Sequence, residues 1–145
     1  MIALASDHAG YDYKERIKKL LDEMKLPYKD FGTGSKDSTD YPDWGHQASA
    51  SVSSGENERG IVVCGTGIGM SIVANKHKGV RAAVCESVTA ARLARQHNNA
   101  NMLAIGERIT GWESVVDIVR TFLSTPFEGG RHERRVEKIH TLTNL

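Results

Sequence analysis

The architecture of this chain can be worked out from residues 60–71, which read Gly60-Ile61-Val62-Val63-Cys64-Gly65-Thr66-Gly67-Ile68-Gly69-Met70-Ser71. The first half is a short apolar run that ends on Cys64, and the second half places three glycines before a helical pattern. Glycine adopts positive φ without a steric penalty, so such a turn can bring several N–H groups together at a helix N-terminus. The stretch therefore predicts a buried strand, a tight turn and a helix.

The spacing of this turn leaves two interpretations open. Converging N–H groups would bind an anion, and a thiol at the rim would be favoured as the thiolate, the form that takes a proton. Alternatively, the turn only connects a strand to a helix, and Cys64 is a small buried hydrophobic residue. The spacing is not that of a dinucleotide fingerprint and lacks the P-loop lysine, because Met70 and Ser71 follow Gly69.

Short apolar segments alternate with helical patterns along the whole chain. They cover residues 2–5, 28–31, 61–64, 81–85 and 102–105. This alternation is typical of βαβ units, in which helices cover both faces of a parallel sheet. The sequence therefore predicts an α/β fold, a Rossmann-like three-layer sandwich around a five-stranded parallel sheet.

Helical patterns fill the segments between these strands. They are predicted over residues 10–24, 44–54, from after Gly69 to about 78, 88–96, from about 110 to before Pro126, and 129–140. Ser87 is placed to cap the fourth helix, and Thr110 with Glu113 has the capping-box pattern for the fifth. Gly79 is placed to take the left-handed conformation that ends the third.

The C-terminal segment is rich in arginine and poor in apolar residues. Its helical pattern offers only Val136 and Ile139 to a core, so we expect this helix to pack across a subunit interface or over a ligand. Arg131 and Arg135 share one helical face, with Arg134 beside them. These guanidinium groups are either a solvated run of charge or a bidentate phosphate clamp.

Length and composition limit the class of protein. A chain of 145 residues with 26% charged residues and a net charge of +1 is expected to form one domain, 1–145. The absence of a strong basic field argues against nucleic acid and membranes as partners, whereas a phosphorylated small molecule needs only a few local cations. Two cysteines, with no signal peptide or apolar span, predict a cytoplasmic protein. The six histidines show no close metal-ligand spacing.

Polar side chains follow three of the predicted strands. Asp7 and His8 follow the first, the glycine turn follows the third, and Glu107 with Arg108 follows the fifth. Ligands of open parallel sheets bind beyond the carboxyl ends of the strands, so these segments are expected to converge on one crevice. The alternatives are that Asp7 caps the first helix and that His8 is a polar residue of the same turn.

His97, Asn98 and Asn99 lie between a predicted helix and strand, at the opposite edge of the sheet. Asparagine commonly caps helix C-termini, so the alternative for Asn98 and Asn99 is capping, and the alternative for His97 is a favourable interaction with the helix dipole. If His97 is catalytic, it is expected to serve the crevice of a neighbouring subunit.

A set of motifs in this order closely resembles the ribose-5-phosphate isomerase type B family, one of the ribose/galactose isomerases. The resemblance covers nearly the whole chain and is far more specific than any single motif. It is carried by Ser6-Asp7-His8-Ala9-Gly10, Asp40-Tyr41-Pro42, Cys64-Gly65-Thr66-Gly67-Ile68-Gly69-Met70-Ser71, Asn75-Lys76, Arg81-Ala82, Arg92, His97-Asn98, Asn101 and Gly106.

The resemblance implies a reversible aldose–ketose isomerisation of ribose 5-phosphate and ribulose 5-phosphate through a cis-enediolate, a step of the non-oxidative pentose phosphate pathway. It implies no metal and no cofactor. By this likeness Cys64 moves the proton between C2 and C1, Thr66 shuttles a hydroxyl proton, and His97 opens the furanose ring. The implied substrate-binding residues are Asp7, His8, Tyr41, Gly65, Thr66, Gly67, Ile68, Gly69, Asn98, Arg108, Arg131 and Arg135.

The resemblance also implies a homodimer with shared active sites, or a tetramer, in which the C-terminal helix docks across the subunit interface. Two other functions stay open within the sequence. One is an isomerase of a hexose 6-phosphate, such as allose 6-phosphate or galactose 6-phosphate. The other is a sugar-phosphate-binding sensor without turnover, which the presence of both Cys64 and His97 disfavours.

Overall fold

A five-stranded parallel sheet organises the chain in the computed structural model, which describes residues 1–145. The strands run in the order β2-β1-β3-β5-β4. The elements along the chain are β1 (Ile2–Ser6), α1 (Tyr11–Glu23), β2 (Tyr28–Asp30), α2 (Tyr41–Ser53), β3 (Arg59–Cys64), α3 (Ile68–Ala74), β4 (Ala82–Val84), α4 (Val88–Asn98), β5 (Met102–Gly106), α5 (Trp112–Ser124) and α6 (Arg131–Thr143). No helix combines the length and apolar character needed to cross a membrane.

Helices cover both faces of the sheet because alternate strand residues point to opposite sides. On one face, Ile61 and Val63 of β3 pack in a core with α1, α4 and α5. On the other, Val62 and Cys64 pack with α2 and α3. The predicted Rossmann-like three-layer sandwich is therefore confirmed, and the two cysteines lie in different cores, Cys85 in the first and Cys64 in the second.

Most predicted helices form close to their predicted bounds, and one predicted cap is confirmed. The Ser87 hydroxyl accepts a hydrogen bond from the Ala90 N–H at 3.0 Å and caps α4. Gly79 adopts the left-handed conformation, with φ of +76°, but it does not cap the third helix, whose C-cap is Asn75. The second helix begins at Tyr41, three residues before its predicted start at Trp44, because Pro42 is well suited to a first helical turn.

Two predicted helix ends are wrong. Helix α3 ends at Ala74 instead of about Lys78, because Asn75 caps it and the Asn75 side chain hydrogen-bonds both the N–H and the C=O of Ala82. Thr110 does not cap α5, which begins after Gly111 without a side-chain cap. The Thr110 N–H instead closes a tight turn onto the Gly106 carbonyl, and its hydroxyl is buried without a partner.

The C-terminal helix α6 packs in part on its own chain. His132 and Val136 are buried, and the His132 ring stacks on His97 at the end of α4 with 4.4 Å between ring centroids. Ile139 is 44% exposed and Leu142 is 79% exposed. Of the two apolar residues that the sequence offers on this helix, Val136 is thus buried within the chain and Ile139 is not.

Candidate active site

A cleft of about 510 Å³ opens at the carboxyl edge of the sheet. The ends of β1, β3 and β5 and the start of α2 supply its walls, so the three strand ends meet in space. The lining residues are Asp7, His8, Ala9, Tyr41, Cys64, Gly65, Thr66, Ile68, Gly69, Ile72 and Arg108. A second depression of about 410 Å³ adjoins it, lined by the same Asp7, His8 and Tyr41 and by residues 39, 40, 42 and 43.

Cys64 lies on the wall of this cleft, where β3 ends. Its side chain is almost buried, and its Sγ accepts a hydrogen bond from the Gly67 N–H at 3.1 Å. The Ile68 N–H donates to the Thr66 hydroxyl at 3.2 Å. These bonds hold the sulfur against the start of α3 and fix the shape of the turn.

Four main-chain donors of the turn have no acceptor within the chain. They are the N–H groups of Gly65, Thr66, Gly69 and Met70. Two of them belong to the first turn of α3, where N–H groups have no intrahelical partner and carry the positive end of the helix dipole. The turn therefore offers several donors to a negatively charged ligand next to the Cys64 sulfur.

The turn requires glycine at Gly67. This residue has φ of +77°, and a Cβ there would lie 2.9 Å from the Ile105 carbonyl carbon. A Cβ on Gly106 would likewise lie 2.5 Å from the Thr66 carbonyl carbon. The turn and the end of β5 thus approach each other as main chain on main chain, which brings Arg108 to the same cleft as Cys64.

Asp7 and His8 are held in defined orientations after β1. The Asp7 carboxylate accepts the Gly10 N–H at 3.0 Å, but Gly10 is itself the N-cap of α1 and no side chain caps that helix, so the alternative that Asp7 caps the first helix is wrong. The His8 Nδ1 accepts the Thr39 N–H at 3.2 Å. A ring nitrogen that accepts carries no proton, so the neutral His8 ring holds its proton on Nε2 and can donate from that atom.

Arg108 and Tyr41 frame the mouth of the cleft. The Arg108 N–H donates to the Gly65 carbonyl at 2.9 Å, and its side chain lies over Gly65. Its guanidinium makes no ion pair or hydrogen bond within the chain. The Tyr41 ring lies directly against Gly69. Arg108 is therefore an uncompensated cation at the edge of a turn with four free N–H donors.

Glu107 does not join the cleft. Its carboxylate accepts the Tyr13 N–H at 2.8 Å, on the α1 side of the sheet. Burial raises the pKa of Glu107, an effect that the bond from Tyr13 opposes. Glu107 therefore has a structural role, and Arg108 is the one residue of the segment after β5 that lines the cleft.

The remaining predicted residues lie away from this cleft in the single chain. His97 is at the C-terminal end of α4, at the opposite edge of the sheet, and contacts His132. Asn98 lines a separate cavity of about 440 Å³. Arg131 and Arg135 are exposed on α6. The fold does not bring these four side chains to the cleft of their own chain.

Sequence reasoning missed Ile72 on the cleft wall and His132 beside His97. The position of His132 carried a usable signal, because His132 precedes Val136 by four residues and shares its helical face. Ile72 is four residues after Ile68 in the same way. Both signals needed the correct helix bounds before they could be interpreted.

Comparison with known proteins places this geometry in a family. The sequence model of the ribose/galactose isomerases matches residues 2–139. The chain is 46% identical over 138 residues to ribose-5-phosphate isomerase B of Escherichia coli, covering 95% of this chain and 93% of that protein. It is 40% identical to D-erythrulose-4-phosphate isomerase of Pectobacterium atrosepticum, covering 95% and 91%.

A solved structure agrees with the sequence relatives. The structure of Clostridium thermocellum ribose-5-phosphate isomerase B superposes with a TM-score of 0.97 at 49% identity, covering 99% of this chain and 97% of that one. A match of this extent includes the strand ends, the glycine turn and the C-terminal helix alike. The chain belongs to the ribose/galactose isomerase family and is an aldose–ketose isomerase.

Proposed function

We propose that this chain interconverts ribose 5-phosphate and ribulose 5-phosphate through a cis-enediolate, with Cys64 as the base. The observation that carries the proposal is the position of the Cys64 sulfur, which lies on the cleft wall beside four unpaired N–H groups of the same turn. The relatives named as isomerases of ribose 5-phosphate support the choice of substrate.

The proposed chemistry moves one proton between two carbons. The Cys64 thiolate takes the proton from C2 of the open-chain aldose, and the electron pair forms the C1–C2 double bond as the carbonyl oxygen becomes negative. The resulting thiol then returns a proton to C1, while Thr66 passes the hydroxyl proton between the two oxygens. The N–H groups of the turn that have no acceptor within the chain, those of Gly65, Thr66, Gly69 and Met70, would stabilise the enediolate, the task for which preorganised donors contribute most to catalysis.

The phosphate and the sugar chain are assigned to the charged and polar residues around the turn. Arg108 has no partner within the chain and would bind the phosphate, with Asp7, His8 and Tyr41 lining the path between the phosphate and Cys64. Arginine forms bidentate hydrogen bonds with phosphate, so one uncompensated guanidinium contributes strongly to such a site.

We assign His97, Asn98, Arg131 and Arg135 to the cleft of a second copy of the chain. His97 would open the furanose ring, Asn98 would hold the substrate hydroxyls, and the two arginines would complete the phosphate site. This shared-site homodimer, alone or within a tetramer, accounts for catalytic residue types at the wrong edge of their own sheet. The exposed Ile139 and Leu142 of α6 support it, since docking on a partner would cover them.

The main alternatives to ribose 5-phosphate are sugar phosphates with a different chain length. A relative named for erythrulose 4-phosphate is 40% identical to this chain, so substrate length varies among similar sequences. Hexose 6-phosphates such as allose 6-phosphate or galactose 6-phosphate are the longer alternatives, and a non-catalytic sensor would bind sugar phosphate without turnover. Turnover of ribose 5-phosphate, allose 6-phosphate and erythrulose 4-phosphate by one preparation compares these directly, and ribose 5-phosphate is expected to give the highest kcat/KM.

A pair of cysteine variants tests the base. Cys64→Ala is expected to lower kcat on the order of 10²–10⁴-fold while substrate binding stays nearly intact, because the base acts in the transition state. Cys85→Ala is the matched control, since Cys85 lies in the other core, and it should retain activity. Near-normal turnover by Cys64→Ala would defeat the proposed mechanism.

A further inference from the structure

Three metal-ligating side chains meet beside the end of α4. His97 comes from α4, Glu128 from the loop before α6, and His132 from the first turn of α6. One ligand atom of each lies within 4.8 Å of the others, and the His132 Nε2 is 3.5 Å from the Glu128 Oε2. The two imidazole rings are nearly parallel, with 14° between their planes.

The distance between His132 and Glu128 suits a tetrahedral metal ion better than a hydrogen bond. Nitrogen and oxygen ligands of Zn²⁺ lie about 2.0–2.1 Å from the ion, which sets tetrahedral ligand atoms roughly 3.4 Å apart. The 3.5 Å between His132 and Glu128 is close to this value and longer than an ordinary N–H···O bond. Since the lone pair of an imidazole nitrogen lies in the ring plane, the His97 ring must turn out of its stack on His132 to direct a nitrogen at the same ion.

The main chain already holds the three ligands together. The Glu128 N–H donates to the Gln96 carbonyl at 3.1 Å, which ties the loop to the residue before His97. The His132 N–H donates to the Gly129 carbonyl, and the His132 side chain is buried. Two histidines and one carboxylate leave the fourth position of a tetrahedral ion open, as in catalytic zinc sites.

We propose that His97, Glu128 and His132 form a binding site for a divalent transition-metal ion of the Zn²⁺ type, and that its occupation inhibits the enzyme. The site itself follows from the geometry of the three side chains. The inhibition rests on the proposed function, because a metal ion on His97 removes the nitrogen lone pair that would serve in ring opening. The ion is thus an inhibitory ligand, and no step of the isomerisation requires it.

Direct binding of zinc tests the site without any assay of activity. Equilibrium dialysis of the metal-free protein against Zn²⁺ is expected to give one tight site per chain. Glu128→Gln and His132→Asn should each weaken it by at least about tenfold. Glu128 is half exposed, so its variant is expected to fold normally, which an unchanged unfolding midpoint would verify.

Two control variants exclude the other groups that could take zinc. His46 and His77 form an exposed pair with 2.8 Å between ring nitrogens, and Cys64 offers a thiol. His46→Asn and Cys64→Ala should both keep the tight site. The metal site would be overturned if Glu128→Gln bound zinc like the unmodified chain, or if either control variant lost the tight site.

Activity then tests the consequence. Saturating Zn²⁺ should strongly lower turnover of ribose 5-phosphate, EDTA should restore it, and Glu128→Gln should need at least about tenfold more zinc for the same loss. Zinc bound at the site without loss of turnover would overturn the inhibition and count against ring opening by His97. Absence of tight binding would overturn the site while leaving the proposed isomerisation untouched.

Discussion

Replacing Gly67 with alanine tests the close approach between the glycine turn and the end of β5. Alanine at a φ of +77° is strained by about 1–2 kcal/mol. Its Cβ would also lie 2.9 Å from the Ile105 carbonyl carbon, well inside ordinary contact distance. Such an overlap with main chain adds about 1–3 kcal/mol. The free energy of unfolding should therefore fall by about 2–5 kcal/mol in total.

The same substitution at Gly65 is the matched control. Gly65 does not have positive φ, and a Cβ there would lie 3.5 Å from the Arg108 side chain, an ordinary contact. Alanine at a compatible site reduces the entropy of the unfolded chain, so Gly65→Ala should change stability by less than about 1 kcal/mol. Two alanines in one turn thus separate main-chain strain from the general effect of losing a glycine.

Urea unfolding followed by tryptophan fluorescence measures both variants at equal protein concentration. The midpoint of Gly67→Ala should fall clearly below that of the unmodified chain at an unchanged slope, with a thermal midpoint about 5–15 °C lower. Gly65→Ala should unfold near the unmodified midpoint. Equal midpoints for the two variants would refute the packing of this turn as described.

The remaining predictions concern the thiols, a buried charge and the assembly. Iodoacetamide at pH 8 should label Cys64 first, because burial raises the pKa of Cys85 to about 11 and leaves little of it as thiolate, whereas preferential labelling of Cys85 would contradict the assignment. Asp30→Asn should destabilise the fold by roughly 1–3 kcal/mol at pH 7, because the buried Lys14 loses its 2.6 Å partner. Burial acts to raise the pKa of Asp30, but hydrogen bonds from Lys14 and others outweigh burial and lower that pKa. The stability that the Asp30 carboxylate contributes is therefore present at neutral pH and is lost as pH falls below about 4. Unfolding curves at several pH values should show that acid lowers the stability of Asp30→Asn less than that of the unmodified chain. Mixed and reassociated Cys64→Ala and His97→Ala chains should recover part of the activity, and hybrids detected by mass spectrometry without activity would show that the two residues serve one chain's site.

The sheet and most helices could be predicted because their signals are local. The apolar run of β3 and the one-sided apolar pattern of α5 each appear within a few neighbouring residues, and burial follows directly from them. The end of α3 could not be predicted, because it depends on hydrogen bonds between the Asn75 side chain and the main chain of Ala82, which belongs to another element. Thr110 does not cap α5 for a similar reason, because its N–H hydrogen-bonds the Gly106 carbonyl in the turn after β5.

The site residues also divide into those that local patterns and topology predict and those that depend on the packing of distant elements. Strands that share a direction end at a common edge, so topology alone was enough to bring Asp7, Cys64 and Arg108 together. The stacking of His97 on His132 depends on where α6 lies against α4, which no local pattern specifies. Sequence reasoning therefore identified the strand-end residues, while the contacts of the C-terminal helix required the folded chain.

The four unpaired N–H groups of the turn have an evolutionary consequence, because they belong to the main chain. No substitution other than one to proline removes a main-chain N–H, so these donors are retained when the side chains of the turn mutate. Divergence toward new sugars is instead open to the side chains around the turn, such as Tyr41, Ile72 and Arg108. Libraries that vary these three positions and keep the glycines are the natural route to altered sugar preference.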